Sequence, residues 1–287
     1  RELVSRGDSL VPPTTELLLV ANPAFDDTIS GAANPDGALR SRDFGGTFSP
    51  LPGTAREANE IPPLVAGDGA KKQVMLGASA TERVVKNVHS PRILHVATHG
   101  FFLGDQEAPI GKDARGVSVV SASDSGDHKP APSPKRYENP LVRSGLAFAG
   151  ANHATETTEG DDGLLTALEI TGMDLYGTEL VVLSACETAV GEVQTGEGVF
   201  GLRRAFALAG AQNLLMSLWA VDDEVTANQM KAFYQYLQKL PPADALRQAQ
   251  LETIRDLEAR DGRANPALWA PFILQGSGAF LSKVGGA

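Results

Sequence analysis

Short apolar runs that alternate with longer helical patterns dominate the hydrophobic pattern of this chain. The first run, residues 16–21, is stopped by Asn22-Pro23, as expected of a strand that is buried on both faces. Further strands are predicted at 92–98, 179–185 and 212–219, with weaker candidates at 144–149 and 272–276. Helices are predicted between them, at 54–60, 79–88, 164–171, 197–209, 223–239 and 242–258. This alternation predicts an α/β fold with a mainly parallel central sheet and helices on both faces.

Two segments show neither the helical period nor the strand pattern of apolar residues. Residues 104–140 hold five prolines and many Ser, Asp and Gly residues, so we expect a mobile insertion there. Residues 30–53 are rich in Gly and Pro and predict a second long loop. Residues 1–287 as a whole fit a single domain that contains the insertion. Because the amino terminus lacks a signal-peptide core and an initiator methionine, we expect this domain to be the C-terminal part of a longer protein.

The composition narrows the class of partner and the compartment. At 287 residues and 42% hydrophobic, the chain can bury a sizeable core. Its 25 basic and 35 acidic residues give a net charge of −10, which disfavours nucleic acid as a direct partner. One cysteine cannot form an internal disulfide, and no apolar run approaches the roughly 20 residues of a membrane span. We therefore expect a cytoplasmic protein with no membrane contact.

The candidate chemistry lies at two strand ends. Cys186 follows the run 179–185, and His99 follows the run 92–98. If these strands are neighbours in a parallel sheet, both side chains lie at the edge where open α/β sheets bind ligands. A thiol beside an imidazole is a nucleophile beside its base. The alternative is an inert cysteine, since a lone thiol on a buried strand commonly serves as a small hydrophobic side chain.

Four other histidines compete with His99 for the role of base. His89, His128 and His153 lie in predicted loops or helix ends, where structural or solvated roles are expected. His95 lies inside the apolar run, on the same predicted strand and face as His99 but about 13 Å away at ~3.3 Å per residue. We expect His95 to be a core residue with its hydrogen bonds satisfied. The two histidines cannot share a metal ion unless the strand bends, and no metal site or cofactor is expected.

A glycine-rich motif raises the possibility of nucleotide binding. Gly196, Gly198 and Gly201 match the dinucleotide fingerprint, and Asp222 follows about 20 residues later. The preceding strand, however, ends about ten residues before the first glycine, too early for the tight phosphate-binding turn. The glycines fit better as part of a loop beside Cys186 and of a closely packed helix.

Six stretches in chain order carry a resemblance to a known family: 95–102, 139–152, 162–170, 183–188, 196–206 and 217–223. They resemble the successive blocks of the CHAT domain, a family of caspase-like cysteine peptidases that is related to separases and metacaspases. Members are often fused to tetratricopeptide repeats. The resemblance spans about residues 16–280, with one departure, Ala189, where the family usually has glycine. It implies a caspase-like three-layer fold.

The resemblance also implies roles for particular residues. His99 would be the general base and Cys186 the nucleophile, and the backbone N–H groups of Gly100 and Cys186 would form the oxyanion hole. Related separases hold a basic substrate side chain next to a Trp-containing block, so Asp222 or Asp223 is a candidate substrate-binding residue. The alternative for both carboxylates is capping of the helix predicted at 223–239.

The expected function is that of a regulated cysteine endopeptidase that acts on a protein substrate. A regulatory repeat domain or activator protein would arrange the loops around 186–197, so that the isolated domain has low activity. Self-processing is a further possibility, at Arg115, Lys135 or Arg136 in the insertion. The competing hypothesis is a catalytically silent scaffold or protein-interaction module in which Cys186 never reacts.

Overall fold

The computed structural model describes residues 15–27, 47–65, 71–102, 140–154, 161–184, 186–187, 197–219, 221–276 and 278. Most of the predicted insertion, residues 104–139, lies outside the described residues, as do residues 30–46 of the predicted loop. The three basic residues proposed for self-processing lie outside them as well.

Strands and helices are interspersed along the described chain, with α5, α6 and α7 in succession near its end. The strands are β1 (Leu17–Pro23), β2 (Lys72–Gly77), β3 (Ile93–Ala97), β4 (His99–Phe102), β5 (Ser144–Ala147), β6 (Leu164–Thr166), β7 (Leu180–Leu183), β8 (Cys186–Glu187), β9 (Asn213–Ser217) and β10 (Phe272–Gly276). The α-helices are α1 (Pro52–Glu60), α2 (Glu82–Lys86), α3 (Ala167–Ile170), α4 (Glu197–Ala209), α5 (Asp223–Leu237), α6 (Pro242–Asp261) and α7 (Pro266–Trp269). Short 3-10 helices occur at Pro62–Leu64, Pro140–Val142 and Ala151–His153.

Six strands form the central sheet, in the order β10-β9-β7-β3-β1-β2. Neighbouring strands are parallel except for the edge strand β10, which is antiparallel to β9. The two strands that were predicted to end in His99 and Cys186 are the direct neighbours β3 and β7. The mainly parallel sheet predicted from the sequence is confirmed.

Two hydrophobic cores cover the two faces of this sheet, because alternate strand residues point in opposite directions. Leu18 and Val20 pack with α2, α3 and α4, whereas Leu17 and Leu19 pack with α1, α5 and α6. Strand β1 is therefore buried on both faces, as its continuous apolar run predicts. The result is the caspase-like arrangement of helix layer, sheet and helix layer.

A second, smaller sheet has the order β6-β5-β4-β8, and the chain enters it directly from strand β3 of the central sheet. Strand β3 ends at Ala97, and β4 begins after the single buried residue Thr98, whose hydroxyl donates to the carbonyl of Ala147. The sequence-based prediction that His95 and His99 share one strand is therefore wrong. Between them the backbone passes from the central sheet to the smaller one, where the Thr98 hydroxyl donates to Ala147 in β5.

Other element boundaries also differ from the predictions. Residues 164–166 form strand β6 rather than the start of a helix, because Thr166 caps α3 in a capping box with Glu169. Strand β2 was not predicted, since its exposed edge position leaves a weak apolar pattern with Val74 and Leu76 on the surface. Among the helices that the structure describes, none has the length and apolar character of a membrane span.

Candidate active site

The smaller sheet brings the two candidate catalytic positions together. Strands β4 and β8 pair in parallel, with His99 opposite Cys186 and Gly100 opposite Glu187. Paired strands lie about 4.8 Å apart, so His99 and Cys186 are adjacent in space although 87 positions separate them in sequence. The side chain of Cys186 lies outside what the structure describes, and the adjacency concerns the backbone.

The His99 imidazole is enclosed by aromatic rings and held by one main-chain carbonyl. Its centroid lies 5.3 Å from the Phe25 ring and 5.6 Å from the Phe48 ring, the second pair being stacked. Its Nε2 lies 2.8 Å from the carbonyl oxygen of Ser49, and the residue is only 3% exposed. The ring therefore has a fixed orientation.

The carbonyl partner defines the tautomer of His99. A carbonyl oxygen only accepts, so Nε2 carries the proton and Nδ1 presents its lone pair. Among the described residues, buried Nδ1 has no hydrogen-bond partner. Burial lowers the pKa of His99 below its usual value, against smaller upward contributions from the Ser49 carbonyl and the negative charge of Asp223. The lowered pKa favours the uncharged ring, and no described residue occupies its Nδ1 acceptor.

The segment that carries Ser49 is anchored by an asparagine from across the site. The backbone N–H of Phe48 donates to Asn152 Oδ1 at 2.7 Å, and Asn152 Nδ2 donates back to the Phe48 carbonyl at 3.1 Å. Asn152 Nδ2 also donates to Asp26 Oδ1 at 2.6 Å. These bonds fix the chain just before α1 and hence the carbonyl that orients His99.

Both candidate substrate-binding carboxylates make structural contacts at the start of α5. Asp222 caps the helix, since its Oδ1 accepts the N–H groups of Glu224 at 3.0 Å and Val225 at 2.9 Å. Asp223 Oδ2 accepts the N–H of Gly53 at 3.2 Å. A Cβ at Gly53 would lie 2.7 Å from the Asp223 Cβ, so only glycine permits this close approach of α1 and α5. The substrate-binding role of both residues stays a prediction.

His95 occupies a different environment from His99. It is 0% exposed, with Nδ1 3.0 Å from the Tyr234 hydroxyl and Nε2 3.0 Å from Glu57 Oε2. The prediction that His95 is a core residue with satisfied hydrogen bonds is confirmed.

The remaining described histidines contact main-chain carbonyls. His89 Nδ1 lies 2.9 Å from the Asn87 carbonyl, and His153 Nε2 lies 2.9 Å from the Asp26 carbonyl. His128 is outside the described residues. Within the described ranges, no group of three or more His, Cys, Asp or Glu side chains is arranged to hold a metal ion.

Among the described residues, two cavities can be outlined, and neither has His99 in its lining. One of about 20 Å³, room for a single water molecule, adjoins Gly100 and Leu183 and is mostly apolar. The other, about 420 Å³, is a groove between α5 and α6 whose lining includes Glu224, Lys231 and Asp256. Neither cavity includes Asp222 or Asp223 in its lining.

Several residues around His99 could not be predicted from the sequence. Ser49 acts through its carbonyl, and a main-chain group leaves no signature in the residue type. Phe25 and Phe48 lie at the margins of loops, where an aromatic residue gives no helical or alternating period. One residue did give a signal in the sequence. Glu57 is a charged residue at a core-facing position of the helix predicted at 54–60.

The fold and the paired His99 and Cys186 positions define a caspase-like α/β domain. The CHAT domain family matches residues 2–277, nearly the whole chain, and the chain belongs to that family. Among curated proteins, it is 27% identical over 242 residues to tetratricopeptide repeat protein 28 of Homo sapiens. It is also 27% identical over 241 residues to the protein of that name from Mus musculus. Each alignment covers 82% of this chain and 9% of the relative, so the chain corresponds to a small part of these proteins.

Proposed function

We propose that this domain is a cysteine endopeptidase that cleaves a protein substrate with His99 as general base and Cys186 as nucleophile. The observation that supports this most is the direct cross-strand register of these two residues in β4 and β8. Membership of a family related to cysteine peptidases adds support.

The tautomer of His99 fits the first chemical step. In this mechanism Nδ1 takes the thiol proton of Cys186, and the thiolate attacks the carbonyl carbon of the scissile peptide bond. Nδ1 then returns the proton to the leaving amine as the C–N bond breaks. Water hydrolyses the remaining thioester. A lowered pKa keeps His99 unprotonated, and therefore able to act as a base, at neutral pH.

The negative charge that develops on the substrate oxygen needs donors fixed in advance. We assign this role to the backbone N–H groups of Gly100 and Cys186. In their favour, both belong to the paired strands β4 and β8, whose backbone positions require no rearrangement during the reaction. One such donor contributes about 3 kcal/mol to transition-state stabilisation in enzymes of this kind.

Asp222 and Asp223 are proposed to favour a basic residue on the amino side of the cleaved bond. Replacing each by Asn tests the charge alone, because Asn caps helices as well as Asp does and its amide oxygen can still accept from Gly53. A substrate library should show weaker cleavage after Arg and Lys in at least one variant. Unchanged cleavage in both would reject the acidic pocket.

Regulation by a repeat domain or activator protein is part of the proposal. The curated relatives are named tetratricopeptide repeat proteins, and this chain matches 9% of their length. Such a partner would arrange the loop that follows Cys186, and a reducing compartment such as the cytoplasm would protect the thiol. High turnover by the isolated domain would contradict this dependence.

The same relatives favour a second candidate, a scaffold without catalysis. In this candidate function the domain, 27% identical to a protein named for its tetratricopeptide repeats, serves to contact other proteins. In that case Cys186 would have the reactivity of an ordinary thiol.

The reactivity of Cys186 separates the two candidates. Because it is the only cysteine, a cysteine-directed electrophilic peptide probe reports on this one site. We expect His99→Ala to slow labelling at least about 100-fold, the lower range for general base catalysis. His89→Ala removes an exposed histidine and is the matched control, expected to label at the wild-type rate. Cys186→Ala sets the background. Equal labelling of wild type and His99→Ala would favour the scaffold.

A further inference from the structure

A chain of buried hydrogen bonds runs through the core from Ser184, two positions before Cys186, to Tyr234. Ser184 Oγ donates to Glu57 Oε1 at 2.9 Å, and Glu57 Oε2 accepts from His95 Nε2 at 3.0 Å. His95 Nδ1 in turn lies 3.0 Å from the Tyr234 hydroxyl. All four residues are at most 2% exposed. Burying a carboxylate is costly, and networks of this kind fix one geometry of the elements they join.

Ser184 lies where the chain leaves the central sheet for the smaller one. Its N–H donates to the Val96 carbonyl at 3.0 Å, the last bond that follows the β3–β7 pairing. Two positions later, Cys186 is already paired with His99 in the smaller sheet. The Ser184 hydroxyl is therefore a fixed point immediately before the strand of the nucleophile.

The same helix segment contacts the strand of the base. The Ser49 carbonyl, just before α1, holds His99, and Glu57 within α1 holds Ser184. Thr54 Oγ1 accepts the N–H of Asn22 at 2.9 Å, which ties α1 to the end of β1. The segment from Ser49 to Glu57 thus contacts His99 directly and also contacts Ser184, two positions before Cys186.

We propose that Glu57 is a positioning residue which, through Ser184, sets where Cys186 meets His99. This inference rests on the proposed function, since it concerns the alignment of that dyad. Its physical basis is that a displacement of about 1 Å between reacting groups can cost on the order of 100-fold in rate.

Two single-hydroxyl deletions separate positioning from stability. Ser184→Ala removes the hydroxyl next to the nucleophile strand, and Tyr234→Phe removes the hydroxyl at the far end of the chain, where it contacts His95. Both variants are checked by thermal unfolding. The readout is the rate of Cys186 alkylation by iodoacetamide between pH 5 and 9, a small probe that needs no substrate-binding loop.

We expect Ser184→Ala to slow alkylation at pH 7 about tenfold or more and to move the pH profile toward that of a free thiol, with its midpoint near ~8.5. Tyr234→Phe should lose stability but keep the wild-type profile. Ser184→Thr, which restores a hydroxyl, should recover most of the rate. Glu57→Ala removes the acceptor of the Ser184 hydroxyl and should slow alkylation at least as much as Ser184→Ala.

The outcomes distinguish this inference from the proposed function. If wild type reacts faster than a free thiol in a His99-dependent manner but Ser184→Ala and Glu57→Ala share its profile, the positioning role is wrong. Equal shifts in Ser184→Ala and Tyr234→Phe would also overturn it, because the effect would then follow stability. If wild type itself shows no His99 dependence, the proposed function fails instead.

Discussion

Two histidines four residues apart, His95 and His99, have opposite surroundings. Both ring nitrogens of His95 have side-chain partners in the core, Tyr234 and Glu57. His99 is nearly as buried, yet among the described residues only its Nε2 is hydrogen bonded. Burial alone therefore does not separate a structural histidine from a candidate base, whereas the number of occupied ring nitrogens does.

The largest expected difference between the two is in stability. Removing one member of a buried, hydrogen-bonded pair leaves the other without a partner. His95→Ala should therefore lower the free energy of unfolding by about 3–5 kcal/mol. His99→Ala leaves no described side chain without its hydrogen-bond partner, and its cost, chiefly the cavity left between Phe25 and Phe48, should be smaller. Urea unfolding of both variants measures the difference. A larger loss in His99→Ala would reverse the comparison.

A second expected effect concerns the aromatic enclosure of His99. Phe25→Ala would admit water to the ring and should raise the pKa of His99 toward its usual value. NMR titration of the ring protons, in a Cys186→Ala background that removes coupling to the thiol, measures this pKa.

The sign of the pH dependence follows from the same shift. A folded-state pKa below the ordinary value of about 6.5 means that the unfolded chain binds the proton more readily. His99 therefore adds stability above that pH, and the contribution is lost as the pH falls. This acid loss should be smaller in Phe25→Ala. An unchanged His99 pKa would show that the ring does not exclude water.

The smallest expected effect comes from the charge of Asp223. Its negative charge raises the pKa of His99, so Asp223→Asn should lower that pKa further. Asp222→Asn is the control, because the Asp222 carboxylate caps α5 through the N–H groups of Glu224 and Val225. The same NMR titration applies, and an upward shift in Asp223→Asn would contradict the assignment.

The sequence predicted the central sheet well because its strands are continuous apolar runs buried on both faces. β1, β3, β7 and β9 all carry that signal. The smaller sheet was not predicted, since β4, β6 and β8 hold only two to four residues each. A strand of that length exists through its neighbours, and its own residues set no period.

In the candidate site, too, one part was predicted from the sequence and another was not. His99 and Cys186 were predicted from the strand ends and from family resemblance, and their backbone adjacency follows from the pairing of neighbouring strands. The contacts of Glu57 with His95 and Ser184 were not predicted, because they join residues 38 and 127 positions apart. Such pairs depend on how the layers pack, which no local pattern encodes.

The anchor of His99 also bears on how the domain can change over evolution. Because the Ser49 carbonyl belongs to the main chain, replacing the serine side chain leaves the acceptor in place. Position 49 is therefore free to diversify while the imidazole keeps its orientation. A search for a third catalytic side chain among relatives would overlook this group, since what is inherited there is a backbone path rather than a residue type.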